Sequence, residues 1–475
     1  MSTDLSTPLW IGGRSEQPNT DLEVRDKFTG DLLAQVARAD DALIDRAFTE
    51  AAAAREACAR QSAQTRRRQL ERLADRLAAE RDAFAQRLCA EGGKPIAAAR
   101  AEADRAAATV RNAASHVIEI GAKIRELDPS EVGGRRAHLA RFPVGVCSFV
   151  TPFNFPLNLV AHKIAPAIAA GCPFVLKPAS STPLSALALG RELAELGLPA
   201  GSFSILPSTR ESAGRFSSDE RIAHFSFTGS DEVGFDLKAR ARKPSVVLEL
   251  GGNAAVIVAE DWPLDHALDR IVPGAFTGSG QSCISVQRCF VHRSRIDDFR
   301  ERLVERVRAL PVGDPRREET VVGPLISERE AERVQAWIEE AREAGGQLLC
   351  GGKREGAIVK PAVLEEVPDH CRAVREELFG PALILFAYDD FDEALSRVNA
   401  SHYGLQAGLL TEDVAKIERA FRTLEVGGLI VGDAPSWRAD PMPYGGVKDS
   451  GLGREGPRYA VEHMTELRLQ VTASR

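Results

Sequence analysis

The chain has 475 residues, more than one core can organise at the usual ~100–200 residues per domain, so two large domains, or two plus a small one, are expected. Apolar residues make up 44% and charged residues 27%, the balance of a soluble globular protein, and no run approaches the ~18 consecutive apolar residues of a membrane span. The formal net charge of −7, with arginines mixed among acids, excludes an electrostatic reason to bind nucleic acid.

Residues 1–36 read as short strands and turns, punctuated by Gly12-Gly13 and Thr29-Gly30. The polar start has no signal-peptide core, and the eight cysteines are scattered without a CxxC pair. A cytoplasmic location, free thiols and no metal are the expectation. From Asp40 to Gly121, Ala, Arg and Glu recur with helical periodicity broken at Gly92-Gly93 and Pro95, which predicts three long helices. From about residue 137 short β-branched or aromatic runs alternate with helical stretches. Strands are expected at 144–150, 174–176, 203–206, 224–227 and 246–248, with helices at 157–170, 183–196 and 231–239 between them. A second alternating block has strands at 254–258, 286–292, 383–386 and 429–431 and helices at 263–276, 296–310, 328–344 and 391–398. Such alternation implies βαβ units and mainly parallel sheets, an α/β fold. The tail, 466–471, is a lone strand pattern, either adding to another subunit's sheet or forming an edge of its own domain.

Some residues carry chemistry. Cys283 follows Gly278-Ser-Gly-Gln-Ser, small residues that leave room for a substrate at sulfur; the other seven cysteines read as structural. Glu249 stands between the apolar run Val246-Val-Leu and Gly251-Gly252. That is a strand's carboxyl end, where α/β sheets bind ligands, and a desolvated carboxylate there suits general-base work; a salt-bridged strand end is the alternative. Asn154, between a strand and a helix, is either a helix cap or an amide donor to an oxyanion. Lys177 either snorkels to solvent or holds a ribose or phosphate. Gly229-Ser230 opens a helix whose first N–H groups suit a pyrophosphate.

These patterns follow one order: Phe-Asn-Phe-Pro, Leu-Lys-Pro-Ala, Phe-Thr-Gly-Ser, Leu-Glu-Leu-Gly-Gly, Gly-Gln-Ser-Cys and Glu377-Leu-Phe-Gly-Pro381. The set resembles the aldehyde dehydrogenase superfamily from about residue 8 to the end. The resemblance implies a Rossmann-like cofactor domain, an α/β catalytic domain and a small β oligomerisation element. The cofactor domain would be 1–249, with a strand excursion near 122–142. The catalytic domain would be 250–435, and 436–475 would return to the cofactor domain and end in an oligomerisation strand. It also implies roles. Cys283 looks like the nucleophile, Asn154 and the Cys283 N–H like the oxyanion donors, and Glu249 like the base that hydrolyses a thioester. Acylating members typically lack that glutamate, so water is the expected acceptor. NAD or NADP would be held by Thr151, Pro152, Phe153, Lys177, Ser180, Phe227, Gly229, Ser230, Val233, Leu250, Gly251, Glu377 and Phe379. Members strict for NAD often carry Glu where Ser180 stands, so NADP is expected to be accepted. No metal is implied, and a homodimer or homotetramer is.

The stretches 154–178, Cys283-Ile-Ser-Val-Gln-Arg288 and Pro443-Tyr-Gly-Gly-Val-Lys-Asp-Ser-Gly451 look closest to the branch of lactaldehyde, phosphonoacetaldehyde and non-phosphorylating glyceraldehyde-3-phosphate dehydrogenases. Succinate-semialdehyde dehydrogenases, which typically hold their substrate with two arginines, are the neighbouring possibility; His162 and Thr277 stand at those places. The expected substrate contacts are Arg105, Phe155, His162, Ser282 and Arg438, the two arginines suiting a small anionic aldehyde. Some branch members have His where Phe155 stands. A non-catalytic protein on this fold would typically have lost the cysteine or glutamate, and both are present.

Overall fold

The computed structural model describes residues 5–117, 123–126, 135–242 and 245–473. Four helices, not three, precede residue 117: Asp41–Arg60, Ala63–Ala79, Arg81–Gly92 and Ile96–His116. Ser62 caps the second by accepting from Thr65 N. The boundary at Glu80 has no glycine, proline or capping side chain, so the apolar period runs across it unmarked. Gly121 and part of the 122–142 excursion lie outside the described residues.

Two large sheets organise the chain. In the first, five parallel strands lie in the order Ser245–Glu249, Ile222–Thr228, Val146–Val150, Phe174–Lys177, Phe203–Ile205. Gly451–Leu452 flanks one side and Leu9–Ile11 the other, both antiparallel. The chain starts at Val146–Val150, runs outward one way, then returns to build on the other side. That strand is therefore next to the switch point, where crevices open at the carboxyl ends of α/β sheets. The second sheet is parallel from Ala362–Glu365 through Ala382–Tyr388, Arg288–His292, Ala255–Val258 and Gln406–Leu410 to Gly428–Val431, with Gln347–Cys350 antiparallel at one edge. Apolar clusters fill both faces of each sheet, burying helices such as Asn158–Ala170 completely.

The terminal strand Thr465–Ala473 pairs antiparallel with Arg135–Pro143 of its own chain along its whole length, and Lys123–Glu126 lies beyond. Leu467, Leu469 and Val471 alternate along it and are exposed. Among the described residues no helix is long and apolar enough to cross a membrane.

Candidate active site

At the switch point opens a cavity of about 790 Å³. Every candidate residue of the sequence borders it except Lys177 and His162.

Cys283 reaches it through a left-handed kink, with φ of 63°, 61° and 68° at Gly278, Ser279 and Gly280. Serine is strained in that region by ~1–3 kcal/mol, and the Ser279 hydroxyl, donating to Gly323 O at 2.8 Å, holds it there. Gly252 explains the second glycine of its motif: a Cβ there would lie 2.1 Å from the Cys283 carbonyl oxygen. So the chain leaving Glu249 packs directly on the cysteine's backbone. The sulfur sits among Ile284, Leu405 and Tyr444, and Tyr444 Oη is 3.0 Å from it. Burial pushes the thiol up to about 12, against the hydrogen bond from Tyr444. No other cysteine borders the cavity.

Two buried carboxyls on the cavity wall have opposite characters. Glu249 ends its strand with both carboxylate oxygens buried and unpartnered. Burial, reinforced by Glu455, raises it well above the usual carboxylate range. It is not the salt-bridged strand end that was the alternative. Burial would raise Glu455 too, but Lys163 Nζ, 2.9 Å from its Oε1, holds it low and ionised. Gly445 leaves room for Glu249: a Cβ there would lie 2.8 Å from Oε1.

Asn154 caps no helix. The following helix starts at Asn158 and its free Leu157 and Asn158 N–H groups donate to Glu102 Oε1 at 3.0 and 3.2 Å. Asn154 Nδ2 instead donates to Gln281 O at 3.0 Å, fastening the amide to the loop before Cys283.

At the far end of the cavity the walls are strand ends and loops: Thr151–Phe153, Ala179–Ser180, Gly229–Ser230 and Leu250–Gly251. Phe379, with φ 49°, sets its ring edge-on to Phe153, centroids 5.7 Å apart. Glu377 Oε1 accepts from Gly252 N at 2.8 Å, and burial pushes this carboxyl up to about 7. Lys177 does not snorkel; it is buried, which pushes its ammonium down to about 8. Ser180 Oγ donates to Ser208 O at 3.2 Å, and Arg210 borders the cavity beside it.

The Cys283 end is built from charged side chains. Glu102, Arg105 and Thr109 share one face of the helix Ile96–His116 by their spacing of three and four. Arg105 pairs with both oxygens of Asp440, at 3.1 and 2.8 Å. Arg438 is buried, its guanidinium 3.6 Å from the Tyr444 ring centroid and its Nε without a partner. Its nearest carboxylate oxygen is Glu455 Oε2 at 3.6 Å. Phe155 lies between cations, with Lys94 Nζ 3.9 Å and Arg105 Cζ 5.8 Å from its centroid. The expectation for His162 needs correction. Its ring is fully buried off the cavity wall, because Nε2 lies 2.9 Å from Asp440 Oδ1. Burial and Arg438 lower its pKa, so the neutral ring donates to Asp440 through Nε2, and the 3.4 Å approach of Arg438 to that nitrogen is packing. His162 thus pairs with Asp440 and does not border the cavity. Burial would raise Asp440, but His162 and Arg105 hold it well below the usual carboxylate range.

The model of the aldehyde dehydrogenase family matches residues 13–469. The chain belongs to this family. The 3-sulfolactaldehyde dehydrogenase of Priestia megaterium is 42% identical over 468 residues, 98% of this chain and 97% of that one. Aldehyde dehydrogenase 21 from Physcomitrella patens, solved in complex with the reaction product succinate, superposes with a TM-score of 0.97 at 44% identity over 99% of each chain. Glyceraldehyde-3-phosphate dehydrogenase GapN from Methanocaldococcus jannaschii, complexed with NADP, gives 0.93 at 34% identity over 96% of this chain and all of that one. The protein is therefore an NAD(P)-dependent aldehyde dehydrogenase.

The residues of this aldehyde dehydrogenase fit a dinucleotide. Glu377 Oε2 receives no hydrogen bond from a described residue and can accept from a sugar hydroxyl. The helix Asp231–Arg240 has no side-chain cap, leaving its first N–H groups for a phosphate. Sequence reasoning missed Tyr444, Asp440, Glu455 and Arg210. Tyr444 lies inside a stretch already singled out, but only the fold brings Asp440 to Arg105 and Tyr444 to the sulfur.

Proposed function

We propose that this aldehyde dehydrogenase oxidises a short aldehyde bearing a terminal anionic group, through a thioester on Cys283. The observation that carries the reading is Arg438, a buried guanidinium on the same cavity as Cys283, with an unpartnered Nε and no carboxylate closer than 3.6 Å. A desolvated cation short of close partners is costly and gains from an anionic ligand. Two relatives support the class: one is named for a sulfonated aldehyde, the other was solved with succinate as product. Arg105 and Arg438 would serve such a substrate although His162 and Thr277 stand where succinate-semialdehyde dehydrogenases typically carry their arginines.

In this reading Cys283 sulfur bonds to the aldehyde carbon, and the oxyanion accepts from the second N–H of Asn154 Nδ2 and from the Cys283 N–H. NAD or NADP, held by Glu377 and the first N–H groups of the helix Asp231–Arg240, would supply the hydride acceptor needed to make a thioester of this adduct. Glu249 then takes a proton from water as the water oxygen bonds to the thioester carbon. The carbon–sulfur bond breaks, releasing carboxylate and restoring Cys283. NADP use is supported by Ser180, a hydroxyl where a carboxylate would repel a 2′-phosphate, and by Arg210 beside it. The exposed Leu467, Leu469 and Val471 support a homodimer or homotetramer assembled along the terminal strand, which light scattering in solution tests.

The test of the substrate class is cofactor reduction with succinic semialdehyde, 3-sulfolactaldehyde, lactaldehyde and propanal. The specificity constant should be at least about tenfold higher for the first two, the worth of one charge-assisted pair. Equal constants for lactaldehyde would overturn the anionic reading in favour of a neutral hydroxyaldehyde.

A further inference from the structure

The hydroxyl of Tyr444 has no part in the chemistry so far. Tyr444 is 4% exposed, and its backbone exchanges two hydrogen bonds with Glu455, N to O at 3.0 Å and O to N at 2.6 Å, which fixes where the ring points. Oη lies 3.0 Å from Cys283 Sγ. Among the described residues no other side chain hydrogen-bonds the sulfur, whose apolar neighbours are Ile284 and Leu405. The Arg438 guanidinium covers the ring face. Phenylalanine would fill the same volume and take the same cation on its face. Only the hydroxyl makes tyrosine different, and a buried hydroxyl needs a partner.

The surroundings decide which atom donates. Burial drives the phenol far above its ordinary range, so it keeps its proton. A thiolate has only lone pairs to offer, so against it the phenol is the donor. Of the charged or titratable groups around the sulfur, Glu377 and Glu249 disfavour the thiolate when ionised, Arg438 favours it from behind the ring, and Tyr444 alone touches it.

We propose that Tyr444 is a further catalytic residue, its O–H donating to the Cys283 sulfur and stabilising the thiolate that attacks the aldehyde. This rests on Cys283 being the nucleophile. The S–H proton passes to solvent base, the electron pair stays on sulfur, and the phenol keeps its own proton throughout. Once sulfur bonds to carbon its charge is spent and the hydrogen bond weakens. Tyr444 therefore contributes before and during attack and not to deacylation.

Tyr444→Phe tests this in the full-length enzyme. Alkylation of Cys283 by iodoacetamide is followed against pH by weighing the Cys283 peptide, alongside the burst of reduced cofactor. The apparent thiol pKa should rise by about one to two pH units, the shift expected on losing a hydrogen bond to a charged group. The burst at neutral pH should slow by about 10- to 100-fold and recover as pH is raised, which a merely structural loss would not do. Cofactor affinity should be unchanged. An alkylation profile that coincides with that of the unmodified enzyme overturns the proposal. Cys283→Ala separates the two readings: hydride transfer surviving in it sinks the thioester route, whereas a dead Cys283→Ala beside an unaltered Tyr444→Phe removes Tyr444 alone.

Discussion

At the Ser180 end of the cavity the walls are backbone: strand ends and the short loops after them, from Thr151, Ala179, Gly229 and Leu250. At the Cys283 end they are side chains from separate segments, Arg105, Glu249, Arg438 and Glu455, supported from behind by Lys163 and Asp440. Backbone donors and glycine-made space suit a ligand common to many enzymes, because they depend on the turn of the chain. Charged side chains suit a ligand particular to one enzyme, because each can be paired, left open or replaced. Here Lys163 meets Glu455 and Arg105 meets Asp440, which leaves Arg438 the least closely paired cation at this end. Glu249 is desolvated on the same cavity, and burial raises its pKa well above the usual carboxylate range.

The largest effect should come from Glu249→Gln. Steady-state turnover should drop by about 10²–10⁴, the usual worth of a general base, while one burst of reduced cofactor per site persists. Burst and steady rate falling together would remove the division of labour between Cys283 and Glu249. Arg438→Met should lower the preference for succinic semialdehyde over lactaldehyde by about 10- to 150-fold, read as a ratio of specificity constants. A constant ratio would mean that the side-chain end does not read charge. At the backbone end, Ser180→Glu should lower the NADP to NAD preference by about tenfold to a hundredfold, through a carboxylate placed near the 2′-phosphate. No change would place the 2′ end elsewhere.

The smallest effect is on stability. Glu249 has its pKa raised in the fold, so what it contributes is fully present below its unfolded value and is lost as pH rises through the raised one. Glu249→Gln has no such loss. Its melting temperature relative to the unmodified enzyme should climb with pH above about 4.3, by on the order of a few degrees. A difference independent of pH would mean that Glu249 is not desolvated.

The two ends were also unequally legible in the sequence. Glu249-Leu-Gly-Gly252 and Phe227-Thr-Gly-Ser230 announce strand ends because glycine permits close approach, and these segments do border the cavity. The parallel sheets followed from alternating runs. What stayed hidden depends on long-range contact. Arg105 and Asp440 pair across 335 residues, Lys163 and Glu455 across 292, and no local pattern marks either. His162 was expected among the substrate contacts from the place it holds in the resembling branch, and only the fold shows Asp440 engaging its ring. The helix break at Glu80 was hidden because no residue there forbids a helix.

The thioester itself can be weighed. Glu249→Gln enzyme mixed with NADP and succinic semialdehyde, then quenched in acid, should yield a Cys283 peptide carrying one acyl group per burst equivalent. A full burst with that peptide unmodified would contradict covalent catalysis at Cys283.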